Sequence, residues 1–497
     1  MKYIVTAHQM KEYDNNTIKK IGIPALVLME RAALSMQEVI QREVPDLKTA
    51  LIVCGVGNNG ADGLALARLL CEQGACVTVC ICADETKASE QFHTQREILN
   101  HYSVRVLNGK EALATLEGYA QASVSFDVVT DAVFGVGLSR EITGDYALAI
   151  GYMNNIRGRK VAADIPSGVH SDSGKCMGIA FRADVTVTFG FAKRGMYLYP
   201  GTEYCGRIEV ADIGISPVAF GNLKPNLFVY DEEPYKLLPD RNPAGNKGTF
   251  GKVLVVAGFE KMAGAAVLCA KAALQSGAGM VKVCGGEENR SIIQSTVPEV
   301  LWGTSEMLKQ DIRWADVIVV GPGMGKSGSV KELLENILNE AEIPLVLDAD
   351  ALNLISEEED IKALVKAYPA EVIMTPHMGE LSRLLKAPVA ELKTDIFEVA
   401  HQAAMVYNAI MVCKDARTVV SHPDGRMYLN ISGNAGMATA GSGDVLSGIL
   451  GALMAQKKDA FSMATVGVYL HGTSGDKAGE LYSEYGVTAG RIIENIE

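Results

Sequence analysis

The chain has 497 residues, of which 48% are hydrophobic and 21% charged, so it is too long for one ordinary core and reads as two globular domains. A net charge of −13 excludes a general nucleic-acid binder, though not a nucleotide held by local backbone dipoles. The amino terminus has no apolar core behind basic residues, and no apolar run approaches membrane-spanning length, so neither a signal peptide nor a membrane partner is expected.

Thr6 followed by Gln9 reads as a capping box, with a helix from there to about Lys20, and Pro24 opens a second helix to about Arg42. Strand-like runs follow at Thr49–Cys54, Cys76–Cys82, Asp127–Val133, Val161–Ile165 and Val185–Phe189, separated by helical periods. The proline-rich stretch from Ser216 to Asn242 breaks this rhythm and puts a boundary near residue 225, giving domains 1–224 and 225–497. Alternation restarts with Lys252–Val256, Met280–Cys284, Val317–Val320, Leu345–Leu347, Val372–Met374 and Ile410–Cys413. This is an α/β pattern: two parallel sheets, each covered on both faces in three αβα layers. The halves share architecture but not motifs. Cys76, Cys80 and Cys82 share one strand face by parity and read as buried thiols, and free thiols suit a reducing, cytoplasmic setting.

In the first half, Val53 to Gly63 runs from a strand through a glycine- and asparagine-rich turn into the helix-like run Leu64–Leu70. Asn58 and Asn59 offer amide groups suited to a phosphate or a hard cation. Two later strand ends bring further oxygens to the same edge: Asp131 to Glu141, and Asp164 to Gly168. Asn59, Asp131 and Ser167 could together ligate a hard cation, which leaves Asp164 free for proton transfer or for holding a hydroxyl. Each of these residues could instead cap a loop; three such ends on one sheet edge favour function.

These motifs resemble the NAD(P)HX epimerase family over roughly residues 1–222. The resemblance implies a Rossmann-like fold and a potassium ion held by Asn59, Asp131 and Ser167. It implies substrate contacts from Asn58, Asn59, Gly60, Ala61 and Asp62, from Gly135, Val136, Gly137, Leu138, Ser139, Arg140 and Glu141, and from Asp164, which is also the acid/base candidate. Ala61 stands where that family usually has a second glycine, and its methyl would obstruct a positive φ.

In the second half, Asn434 to Asp444 is a run of small residues leading into an apolar helix. A glycine turn at a helix start offers N–H groups and a positive dipole end to phosphate, and Asp444 could take a proton from an attacking hydroxyl. The plainer alternative is an Asp that merely caps the helix. Further strand ends carry Gly321 to Gly325, Asp348 to Asn353, Thr375 to Glu380 with His377, and Lys414 to Thr418.

This assembly resembles ribokinase-like enzymes, and among them the ADP- or ATP-dependent NAD(P)HX dehydratases, over about residues 225–497. The resemblance implies Ala265, Gly323, His377 and Asp444 at the hydrated nicotinamide nucleotide. It implies Lys414, Asp415, Ala416, Arg417, Thr418 and Gly443 at an adenine nucleotide carried with magnesium. Asp415 replaces a glycine common in that family. The expected function is repair of hydrated NADH and NADPH (NADHX and NADPHX): exchange of the R and S hydrates, then dehydration of the S form with ADP. Family analogy adds self-association. The rival expectation is a vitamin-precursor kinase fused to a non-catalytic Rossmann-like binding module.

Overall fold

The computed structural model describes residues 1–456 and 458–497. The chain forms two compact units, Tyr3–Pro225 and Asn226–Glu497, the latter joined by Met1–Lys2. No helix among the described residues is long and apolar enough to cross a membrane.

The first unit is built on seven parallel strands: β1 (Thr49–Cys54), β2 (Cys76–Ile81), β3 (Arg105–Asn108), β4 (Ser125–Ala132), β5 (Arg157–Ala163), β6 (Val185–Phe189) and β7 (Arg207–Ala211). Their order is β3-β2-β1-β4-β5-β6-β7, so the winding reverses between β1 and β4. Residue parity builds the layers. Ala50, Ile52 and Cys54 face a core with Leu28, Met36, Leu66 and Leu70, whereas Leu51 and Val53 face a core with Leu116, Ile150 and Met153. Ligands of doubly wound sheets bind where the strand order reverses, at the carboxyl ends of the strands.

The capping box at Thr6 starts a helix over Ala7–Asn15, which continues as a π-helical turn over Asn16–Ile21. Three expectations need correction. The helix after β1 begins at Asn58, six residues before the expected run, so Asn58 to Asp62 form its first turns. Ala61 therefore has helical φ and lies fully buried, and the anticipated obstruction does not arise. The close approach falls instead on Gly60, where a methyl would collide with the Gly55 carbonyl oxygen. Of the three thiols, Cys80 and Cys82 are buried, the latter one residue beyond the strand, but Cys76, at the first strand position, is exposed.

The second unit carries β8 (Lys252–Val256), β9 (Met280–Cys284), β10 (Leu301–Gly303), β11 (Val317–Val320), β12 (Leu345–Leu347), β13 (Val372–Met374), β14 (Ile410–Cys413), β15 (Val419–Ser421) and β16 (Met427–Leu429). The order β10-β9-β8-β11-β12-β13-β14 is parallel throughout, and β15 and β16 add antiparallel strands at the β14 side. The helices Ala263–Gln275, Ser442–Met454 and Ala460–Tyr482 cover one face, packing on Val253, Val255, Val317 and Val319. Gly448 lets the first two approach closely, since a side chain there would strike the Cys269 carbonyl.

Candidate functional sites

The carboxyl edge of the first sheet opens into a cavity of about 690 Å³. Its wall includes Asn58, Asn59, Asp62, the run Gly135 to Arg140, and Asp164, together with Asp14 of the first helix. Gly60, Ala61 and Glu141 do not line it. Gly60 and Ala61 are buried behind the turn, and Glu141 is exposed.

Asp164 has a charge partner that the sequence did not reveal. It sits in the left-handed region at φ +64°, a conformation unusual outside glycine and concentrated at functional sites. Its Oδ1 pairs with the ammonium of Lys193, a residue buried completely, and accepts from the Phe189 amide at 3.2 Å. Its Oδ2 faces Gly135: a side chain on that glycine would begin 3.4 Å away. Asp62 is buried, and burial together with negative Asp164 and Asp14 holds its carboxyl well above the usual range. Burial raises Asp14 to about 6 against the pull of Lys193. Sequence reading missed both Asp14 and Lys193.

Asp131 and Ser167 lie deeper. Ser167 donates through its hydroxyl to Asp131 Oδ1 at 2.7 Å and through its amide to Oδ2 at 2.7 Å. Burial raises Asp131 to about 6, moderated by these bonds and that from Val133. The side-chain amide nitrogen of Asn59 is buried without a hydrogen-bond partner. A buried amide, carboxylate and hydroxyl offer the oxygen donors that a hard cation takes. Among the described residues, no cluster of three His, Cys, Asp or Glu could hold a metal ion.

In the second unit, Gly441 (φ +87°) caps the helix Ser442–Met454 in a left-handed turn that suits glycine. Asp444 is the third helical residue and makes no capping bond, so the plain capping role is not the one it plays. Burial and neighbouring Asp348 raise its carboxyl to about 6, while Lys414 pulls the other way. Asp348, at the end of β12, accepts from Lys414 Nζ at 2.8 Å and from Ser447 Oγ at 2.6 Å. Burial alone would raise the Asp348 carboxyl, but Lys414 and these bonds leave it below the usual range. The Lys414 amide donates to the Pro376 carbonyl, which ties the end of β14 to that of β13.

His377 caps the helix Met378–Leu385, its Nδ1 accepting from Gly379 at 3.0 Å, and its ring pKa is lowered by burial and by Lys414. Gly323 (φ +58°) packs against Ala265: a side chain there would meet the Ala265 Cβ at 2.9 Å. Arg417 donates to the Ile431 carbonyl at 2.7 Å, Asp415 pairs with Lys393 at 2.8 Å, Ala416 is exposed, and the Thr418 hydroxyl reaches the Asp415 carbonyl at 3.5 Å. The arrangement places a raised-pKa carboxylate, first-turn helix amides and a half-buried ammonium at one sheet edge. Such a set can deprotonate a hydroxyl and hold a phosphoryl group.

Residues 25–195 match the family described as YjeF-related protein N-terminus, and residues 253–497 match the NAD(P)H-hydrate dehydratase family. The chain is 35% identical to the bifunctional NAD(P)H-hydrate repair enzyme of Moorella thermoacetica, over 99% of this chain and 95% of that one. It is 34% identical to the enzyme of the same description from Thermofilum pendens, over 98% and 94%. A ribokinase-like superfamily protein of Enterococcus faecalis matches at a TM-score of 0.50 and 26% identity, covering 55% of this chain and 95% of that one. The chain therefore belongs to the family of bifunctional NAD(P)H-hydrate repair enzymes, with a Rossmann-like amino-terminal part and a ribokinase-like carboxy-terminal part.

Proposed function

We propose that the second unit repairs the S hydrate of NADH and NADPH by phosphorylating its C6 hydroxyl from ADP and expelling phosphate. Asp444 accepts the hydroxyl proton as the oxygen attacks the β-phosphorus, and AMP departs. The nitrogen lone pair of the ring then drives out phosphate as the C6–O bond breaks. Loss of a C5 proton restores the double bond. Phosphate leaves far more readily than hydroxide, which is the reason to use a nucleotide at all. The amides of Gly443 and Asp444 open the helix where transferred negative charge collects. Ala265, Gly323 and His377 are assigned to the nicotinamide nucleotide, and Lys414 to Thr418 with Gly443 to the adenine nucleotide.

Both oxygens of Asp348 are engaged by Lys414 and Ser447, so the residues fit a metal brought by the nucleotide phosphates better than one held by the protein. Magnesium bound in that way would neutralise phosphate charge.

The first unit is assigned exchange of the R and S hydrates, with Asp164 as the acid/base group and Asn58, Asn59, Asp62 and Gly135 to Arg140 around the substrate. Asn59, Asp131 and Ser167 are assigned to potassium, a reading that the oxygen donors of the three side chains support.

The observation that carries the dehydratase reading is the raised-pKa carboxylate of Asp444 in the first turn of a glycine-capped helix. Purified protein given S hydrate and ADP should release reduced dinucleotide, AMP and inorganic phosphate in equal amounts. Accumulation of a stable phosphorylated product would instead identify a small-molecule kinase.

A further inference from the structure

We propose that Asp62 is the proton donor of the epimer exchange, and that Lys193 is the positioning residue that makes Asp164 the proton acceptor. This rests on reading the first cavity as the epimerase site.

An ammonium has three hydrogens to give. Those of Lys193 go to Asp164 Oδ1, to Thr188 Oγ1 at 2.8 Å and to the Phe189 carbonyl at 3.3 Å. It has none left for a substrate, so its effect passes through Asp164. On the carboxylate, Lys193, Thr188 and the Phe189 amide all converge on Oδ1. Oδ2 is the oxygen turned toward Gly135, a residue of the cavity wall. A fixed charge on one oxygen and an open second oxygen describe a base aimed at a ligand.

The second group follows from charge. The wall carries Asp14, Asp62 and Asp164, with Lys11, Arg140 and Tyr146 also lining it, while Lys193 is the cation buried beside them. One ammonium does not hold both buried carboxylates, Asp62 and Asp164, ionised with Asp14 beside them. Asp164 has the contact with Lys193. Asp62 is 8% exposed, and no ion pair reaches it among the described residues, so it is the carboxyl that keeps its proton. Asp14 is less enclosed and closer to ordinary ionisation.

An acid and a base in one cavity suit a carbinolamine. Asp164 takes the C6 hydroxyl proton, the C6 carbonyl forms, and the C6–N1 bond breaks. Its electron pair goes to N1, which receives the proton of Asp62. Rotation about C5–C6 presents the other carbonyl face. N1 attacks it, returns its proton to Asp62, and the oxygen regains the proton held by Asp164. Nothing is consumed, as an epimerisation requires.

The test measures exchange of the two hydrates by full-length protein across pH, with dehydration of the S hydrate as an internal control for folding. Asp62→Asn should lower kcat for exchange by about 100-fold or more, with KM little changed and dehydration intact. Lys193→Met should move the acid limb of the exchange profile to higher pH, and Lys193→Arg should restore its position, which a merely structural lysine would not do. Exchange by Asp62→Asn within twofold of wild type, or an unmoved limb in Lys193→Met, overturns the corresponding assignment. If Asp62→Asn does not fold, the wild-type profile decides: a proton donor requires a fall on the alkaline side, and a flat alkaline side refutes it. Full exchange by Asp164→Asn would instead sink the underlying site reading.

Discussion

Lys414 Nζ stands 3.3 Å from the point where a side chain on Gly443 would begin. The half-buried ammonium thus lies directly beneath the helix-opening turn, and the turn is thin because residue 443 has no side chain. Gly443→Ala should insert a methyl against the cation and lower kcat/KM for ADP by roughly tenfold, the equivalent of about 1.4 kcal/mol. Exchange of the two hydrates, measured on the same preparation, should not change.

Asp444 must be ionised to accept a proton, and its carboxyl is raised to about 6. The dehydration rate at saturating ADP should therefore fall as pH drops through about 6. Lys414 lowers that value, so Lys414→Met should move the limb to higher pH. A rate–pH profile of both proteins measures this.

Asp348→Asn leaves the half-buried Lys414 without its charge partner, the buried member of the pair. Breaking a fully buried pair by removing one member costs about 3–5 kcal/mol, and the partial solvent access of Lys414 puts this loss at about 3 kcal/mol or less, to be read from unfolding midpoints. The folded-state pKa of Asp348 is lowered, so its stabilisation is complete above the ordinary carboxylate value and is lost as pH falls through the lower folded one. The difference between wild type and variant should persist at neutral pH and close only in strong acid.

Gly60→Ala and Ala61→Gly test the turn after β1. A methyl at Gly60 strikes the Gly55 carbonyl, and overpacking of this kind costs about 1–3 kcal/mol. Glycine at Ala61, inside a helix, costs about 1 kcal/mol or less. Melting temperatures should fall in the order wild type, Ala61→Gly, Gly60→Ala. A more stable Ala61→Gly protein would restore the idea of a hidden positive φ.

The strands were legible because buried parallel strands are short β-branched runs bounded by glycine turns. Thr49–Cys54, Lys252–Val256 and Ile410–Cys413 have the bounds their composition indicates. The helix start at Asn58 was not, since glycine and asparagine weaken a helical pattern that packing nevertheless enforces. Asp164 and Asp444 carry local signatures, a strand end and a glycine turn. Lys193 carries none. It is a lysine among small and aromatic residues, and its partner lies 29 positions earlier, joined only when β5 and β6 pair. Asp14 comes from a helix far ahead of the sheet and reaches the cavity through tertiary packing alone. Cys76 follows the parity rule but sits at the first position of its strand, where the sheet no longer covers it.

The central claim is that the carboxylate of residue 444 activates the hydroxyl that ADP phosphorylates. The most direct measurement is recovery of reduced-nicotinamide absorbance by Asp444→Asn supplied with S hydrate and ADP, alongside hydrate exchange by the same protein. The account predicts that recovery falls by about 100-fold or more while exchange keeps its wild-type rate. Recovery at the wild-type rate would contradict it.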